Sequence, residues 1–185
     1  MASMRTTRLA TGAVLFGGLL AGVTANRALV EMPAWERLGV LPWANFLRAE
    51  NHGVGAFFYL VVGLITLLFT IGAGIAFYLD RQAQGPGRIP IYTAAVLAIT
   101  YAVITRAVLV PANFRIRAVG DNVDELQRIF QKIALWSGVN DALHVVTFGL
   151  SVWALIEIVW SRGEREPVRE MRSERRASVG GAMED

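Results

Sequence analysis

Residues 136–160 read WSGVNDALHVVTFGLSVWALIEIVW, an apolar stretch that is long enough to cross a bilayer as a single helix. Its first turns nevertheless carry Asn140, Asp141 and His144. An ionisable side chain inside hydrocarbon costs roughly 3 kcal/mol or more, so such residues usually face a bundle interior or a wet cavity. The stretch therefore predicts a transmembrane helix that has a functional face near one end.

The composition indicates one small integral membrane domain, because 54% of the 185 residues are hydrophobic and the mean hydropathy is +0.44. The absence of cysteine excludes disulfides, cysteine-based zinc or iron–sulfur sites and a thiol nucleophile. The formal net charge is only +3, and the basic residues flank apolar stretches or alternate with acidic ones. No nucleic-acid-binding motif is present, so nucleic acid is not a predicted partner.

Four apolar stretches predict an all-α integral membrane four-helix bundle with short interfacial helices. We predict a membrane domain at 1–160, with spans at about 9–30, 54–79, 91–110 and 136–160. The basic start and apolar middle of the N-terminus are also typical of a signal peptide, and we interpret them as a retained first span. Residues 161–185 have mixed charge and little apolar content, which predicts a disordered tail.

The connections between spans should contain further helices. Trp35 and Trp43 suit a membrane interface, and this segment should form one or two short helices broken near Pro33 and Pro42. These helices would be either an interfacial anchor or a cap over a cavity. We expect Pro111 to end the third span.

A second connecting helix is predicted after residue 120. Asp121 or Asn122 is placed to cap it, with Glu125 completing a capping box. Apolar residues recur at three- and four-residue spacings from Val123 to Ile133, so this helix has one apolar face. It would either lie at the interface or extend the fourth span.

The positive-inside rule places both termini in the cytoplasm, because arginines flank the N-terminus, the connection between spans two and three, and the start of the tail. Every span then contributes polar residues to one layer on the opposite side. The members of this layer are Asn26, Arg27, Asn51, His52, Arg106, Asn140, Asp141 and His144. Each arginine alone is explained by snorkelling to the headgroups, but together these residues predict a shared pocket.

Two kinds of chemistry fit this layer. His144 would act as a general base, with Asp141 or Asn140 fixing its tautomer and Arg106 or His52 stabilising an oxyanion. Alternatively, His52, His144 and Asp141 would form a two-histidine, one-carboxylate site for non-haem iron, or the two histidines would ligate haem. The residues leave the cofactor open: none, non-haem iron, copper or haem.

Short motifs resemble a known family. They are the Gly-rich first span, the Trp-Ala-Asn-Phe segment at 43–46, the Val-Pro-Ala-Asn segment at 110–113, and Trp136 followed by Asn140. Together they resemble the small four-span membrane proteins grouped as anthrone-oxygenase-like. The resemblance implies oxidation of polycyclic anthrones by dioxygen without a dedicated cofactor. It also implies a pocket for a flat phenolic substrate, with Asn113, Trp136 and Asn140 at matching positions; His144 stands where we expect an arginine in that family.

We therefore expect a membrane-embedded oxygenase or oxidoreductase that acts on a hydrophobic phenolic or quinoid substrate. Its predicted substrate contacts are Asn26, Asn113, Trp136 and Trp43. The alternative is a non-catalytic accessory or scaffold subunit of a larger membrane complex, docked through its glycine-rich spans. The expected partners are membrane lipids and a hydrophobic small molecule, with a larger complex or a homo-oligomer as further alternatives.

Overall fold

The computed structural model describes residues 3–50, 54–80 and 87–163, and within these ranges the chain is helical with no strand. Two five-residue π-helical segments, Arg27–Glu31 and Thr105–Leu109, interrupt the α-helices. The α-helices are α1 (Met4–Asn26), α2 (Met32–Leu38), α3 (Val40–Glu50), α4 (Val54–Leu79), α5 (Arg88–Ile104), α6 (Val110–Ala118) and α7 (Val123–Gly163).

The chain has four helical stretches that are long and apolar enough to cross a membrane: Met4–Leu38, Phe57–Leu79, Arg88–Ala118 and Val123–Ser161. Helix α1 packs against α4 and α7, and α5 packs against the same two helices. The four spans therefore follow one another around a ring. This arrangement confirms the predicted all-α four-helix bundle.

Helix α7 is much longer than the bilayer requires. Its 41 residues extend about 60 Å, against roughly 30 Å of hydrocarbon. The side-chain oxygen of Asn122 accepts a hydrogen bond from the backbone N–H of Glu125 at 3.2 Å, as a capping residue does. Of the two predicted arrangements for Val123 to Ile133, the structure has the extension of span four.

The predicted helix break at Pro111 is wrong. The chain stays helical through the second π segment into α6, where Pro111 lies in the first turn, and Pro33 occupies the same place in α2. Proline is tolerated there because first-turn N–H groups need no partner within the helix. The break between α2 and α3 lies at Gly39, between the two prolines, where a φ of 93° favours glycine.

Helices α2, α3 and α6 and the first turns of α7 form a structure that we call the cap. At its centre the rings of Trp43 and Phe130 meet edge to face, with centroids 5.0 Å apart. The Arg48 guanidinium donates to the carbonyls of Ile116 and Gly120, which ties α3 to α6. The buried core of the cap comprises Val40, Trp43, Ala44, Ala112, Ile116, Leu126, Ile129, Phe130 and Ile133.

A second apolar cluster lies at the end of the bundle that is near the N-terminus of α1. It comprises Ala10, Ala73, Phe77, Ile91, Ala154 and Ile158. Between this cluster and the cap, polar side chains of α4, α5 and α7 share the interior with Ala13, Gly17, Leu20 and Phe148. The fold therefore places a group of buried polar side chains between two apolar cores.

Candidate functional site

Most of the buried polar side chains in the interior of the bundle lie on one face of α7. Ser137, Asn140, His144, Thr147 and Ser151 are all buried and recur at three- and four-residue spacings. This face meets hydroxyl groups from α4 and α5 around a narrow gap, which we call the polar seam. Its polar lining residues are Thr66, Thr70, Tyr101, His144, Thr147 and Ser151.

Two hydroxyls of the polar seam have no hydrogen-bond partner among the described residues. Tyr101 and Thr147 are each only 3% exposed, and neither hydroxyl has a partner within the part of the chain that the structure describes. Thr66, Thr70 and Ser151 instead donate to backbone carbonyls four residues earlier, each at 2.8 Å. A buried polar group without a partner costs about 1–3 kcal/mol, so the two free O–H groups favour a ligand that accepts hydrogen bonds.

His144 is held by Asn140. The side-chain nitrogen of Asn140 lies 3.1 Å from Nε2 of His144, and the Asn140 oxygen faces the Thr105 hydroxyl at 3.5 Å. With the Asn140 amide in this orientation its nitrogen donates and Nε2 accepts, which puts the imidazole proton on Nδ1. The lone pair that a general base would use is therefore engaged, and His144 accepts a proton from a ligand only after the Asn140 contact breaks.

Asp141 is bonded to Arg27 and takes no part in orienting His144. The Arg27 guanidinium contacts both carboxylate oxygens of Asp141, and its Nε lies 3.3 Å from Oδ2. The Asp141 side chain is only 5% exposed and that of Arg27 is 27% exposed. This ion pair closes the cap end of the polar layer.

The two π segments present equivalent residues to α7. Arg27 begins the first segment and contacts Asp141, while Thr105 begins the second and faces the preceding residue, Asn140. A π segment changes the helical register, and such segments occur frequently at functional sites. In spans one and three, the first residue of a π segment therefore contacts one of two adjacent residues on α7.

Acidic groups surround the Arg27 end of this layer. The side-chain nitrogen of Asn26 donates to Glu31 at 2.8 Å. In α3, burial and the nearby Glu31 carboxylate raise the pKa of Glu50, while Arg27 lowers it to a smaller extent. Glu31, Glu50 and Asp141 thus lie near the Arg27 guanidinium.

The remaining predicted site residues lie away from the polar seam. Arg106 is exposed, and the Asn113 side chain donates to the Leu109 carbonyl of its own span at 3.0 Å. Trp43 belongs to the core of the cap, and Trp136 is partly buried on α7. His52 lies outside the described residues. Of the tail predicted at 161–185, residues 161–163 belong to helix α7 and those from 164 onward lie outside the described residues.

The described residues contain no group of three histidine, aspartate or glutamate side chains that could hold a metal ion. The predicted set of His52, His144 and Asp141 includes one residue outside that description. Asp141 is already paired with Arg27, so the structure does not direct its carboxylate toward His144.

Sequence reasoning missed the hydroxyls that face His144. The Tyr101 ring contacts the imidazole in a tilted arrangement, with ring centroids 4.0 Å apart and an interplanar angle of 42°, and Thr147 lies on the same face of α7 as His144. The spacing of residues 140, 144, 147 and 151 is a signal that indicates a continuous polar face on span four. No comparable signal in span three distinguishes Tyr101 from its other polar residues.

The polar seam is closed in this structure. Within the described residues, no position between its lining side chains has room for a water molecule. A substrate must therefore displace side chains to enter. No protein-family model, curated protein or solved structure matches this chain.

Proposed function

We propose that the chain is an integral membrane oxygenase or oxidoreductase that binds a hydrophobic phenolic or quinoid molecule at the polar seam. The observation that supports this most directly is that the hydroxyls of Tyr101 and Thr147 have no hydrogen-bond partner in the part of the chain that the structure describes. A carbonyl or phenolate oxygen would accept hydrogen bonds from both. Ala13, Gly17 and Leu20 provide an apolar wall for the rings of such a molecule.

The reaction that we propose uses dioxygen as the oxidant. A methylene group between two aromatic rings becomes a carbonyl, one atom of dioxygen enters the product, and the other leaves as water. Hydrogen bonds from Tyr101 and Thr147 would stabilise the enolate oxygen formed when the substrate loses a proton. His144 would accept that proton once Asn140 releases Nε2.

These roles differ from those expected from sequence. Arg106 is exposed, so oxyanion stabilisation passes to the two hydroxyls within the seam. Asn140 keeps its proposed role of orienting His144. Asp141 would instead close the cap end of the site through its ion pair with Arg27. The short motifs that resemble the anthrone-oxygenase-like family support the same class of substrate.

For the orientation, we propose that both termini are cytoplasmic and that the cap lies on the opposite side of the membrane. The basic residues Arg5, Arg8, Arg81, Arg88 and Arg162 support this placement, since positive charge near the ends of spans favours the cytoplasmic side.

Binding tests the proposal first. Purified protein in mild detergent is titrated with 1,4-naphthoquinone and, separately, with naphthalene, which has the same rings but no oxygen. We expect tighter binding of the quinone, and Thr147→Val should weaken it by about two- to tenfold, the value of one hydrogen bond. Thr100→Val is the matched control, since Thr100 is an exposed helical threonine that bonds only to its own helix. Equal affinity for both compounds would refute the proposed ligand class.

Measuring turnover tests the proposed oxidation by dioxygen. Dioxygen uptake is measured with anthrone in the presence of wild-type protein and of His144→Phe, against the uncatalysed oxidation in the same detergent. We expect one dioxygen consumed for each anthraquinone formed, and a loss of the protein-dependent rate in His144→Phe. A rate that the variant leaves unchanged would show that His144 does not take the proton.

A further inference from the structure

We infer that Phe148 is a movable door between the polar seam and the lipid, and that ligands enter the seam sideways from the bilayer. The inference rests on the proposed function only for the identity of the ligand. It adds a residue that controls which molecules reach the site, and it identifies the lipid phase as their source.

The position of Phe148 carries the inference. Its side chain lines the polar seam and is also partly exposed on the surface of the bundle. The ring lies over Gly17 and Gly18 of α1: a Cβ atom on Gly17 would lie 3.8 Å from Cδ2, and one on Gly18 would lie 3.0 Å from Cε2. The ring therefore closes the seam against a stretch of helix that has no side chains of its own.

Moving Phe148 is the least costly way to open the seam. Its ring can turn into lipid with little loss, because lipid tails are as apolar as the residues it leaves. Moving Tyr101 or His144 outward would instead expose a polar group to hydrocarbon. An opening at the cap end would have to separate Arg27 from the buried Asp141, and breaking a buried ion pair is strongly unfavourable.

The interior gives a reason for the door to open. Tyr101 and Thr147 line the same seam with unpartnered hydroxyls among the described residues, and both are more than nine-tenths buried. A molecule dissolved in the bilayer that carries a hydrogen-bond acceptor would satisfy both groups once the ring has moved.

A cysteine reporter tests the door without any ligand. The chain has no cysteine, so Ser151→Cys places a single thiol in the seam. The full chain is reconstituted in liposomes and labelled at one pH with lipid-soluble N-ethylmaleimide or with a charged, membrane-impermeant methanethiosulfonate. Adding Phe148→Ala should speed maleimide labelling about tenfold. This factor corresponds to a change of about 1.4 kcal/mol in the free-energy difference between the closed and open states of the seam. Labelling by the charged reagent should stay slow.

Two controls separate the door from general loosening. Phe57→Ala removes an exposed ring on α4 that is no part of the seam and should leave the labelling rate unchanged. Gly17→Ala should slow labelling, because its methyl group fits beside Phe148 at an ordinary contact distance, and Gly149→Ala controls for its higher helix propensity. Helical content is measured for each variant, with Phe148→Leu used if Phe148→Ala does not fold.

Two results would refute the proposal that Phe148 is a door to the seam. One is maleimide labelling of Phe148→Ala that is no faster than that of Phe57→Ala. The other is faster labelling by the charged reagent, which would place the route on the aqueous side. Because neither measurement uses a quinone, failure of the door is distinguishable from failure of the binding titration.

Discussion

Arg27 and Asp141 form one ion pair, but replacing Arg27 should lower the free energy of unfolding more than replacing Asp141 does. Arg27→Met leaves a carboxylate on a side chain that is only 5% exposed, and an unpaired buried charge of this kind costs about 3–5 kcal/mol. Asp141→Asn should cost about 1–2 kcal/mol, because an amide oxygen still accepts from the guanidinium, and because Arg27 is partly exposed. In the double variant no charge remains buried, so about 1–3 kcal/mol of the Arg27→Met loss should be recovered.

The measurement is the free energy of unfolding in mild detergent, titrated with sodium dodecyl sulfate and followed by helical circular dichroism. Arg106→Met is the control, since Arg106 is an exposed arginine whose loss should change stability by no more than about 0.5 kcal/mol. Equal losses from the two single variants, with a double variant equal to their sum, would refute the buried pair.

Three further predictions concern the cap and the seam. Because the pKa of Glu50 is raised, the folded protein keeps that proton to a higher pH than the unfolded chain does, so stability should fall as pH rises between the two pKa values. Glu50→Gln should remove this slope in unfolding midpoints measured across that window, whereas Glu36→Gln, at an exposed position, should keep it. Trp43→Ala should lower the free energy of unfolding by about 3–5 kcal/mol, since it empties the centre of the cap; a loss below about 1 kcal/mol would show that the cap is not packed around it. Tyr101→Phe should raise the unfolding midpoint in the absence of ligand, because it removes a buried hydroxyl that has no partner among residues 3–50, 54–80 and 87–163, and a lowered midpoint would reveal a partner for that group.

The start of α7 shows how far local sequence carries a prediction. Asn122 and Glu125 predicted a capping box at the start of this helix. The structure has the hydrogen bond from the Glu125 backbone N–H to the Asn122 side chain, whereas the Glu125 carboxylate accepts from Arg115 at 2.8 Å. The same local reasoning failed at Pro111, because a proline ends a helix only where its missing N–H is needed. The π segment before it places Pro111 in the first turn of α6, and a change of register has no signature in the identity of one residue.

The candidate site was predictable in part. The spacing of Asn140, His144 and Thr147 places them on one face of α7, since residues three and four apart share a face of any helix. That spacing does not reveal which helix lies opposite. Tyr101 became part of the site only because α5 packs beside α7. The partner of Asp141, Arg27, lies in the first π segment, 114 positions away in the chain.

By itself, the amino-acid sequence determined that the chain has four helices that are long and apolar enough to cross a membrane, because the length and apolarity of a helix are local properties. Helix capping at Asn122 was likewise local. Only the tertiary structure decided that Arg27 forms an ion pair with Asp141 and that Asn140 hydrogen-bonds His144. It also decided that the Tyr101 and Thr147 hydroxyls lack partners among the described residues. These pairings depend on the rotation of each span about its axis, which is set by the packing of all four helices together.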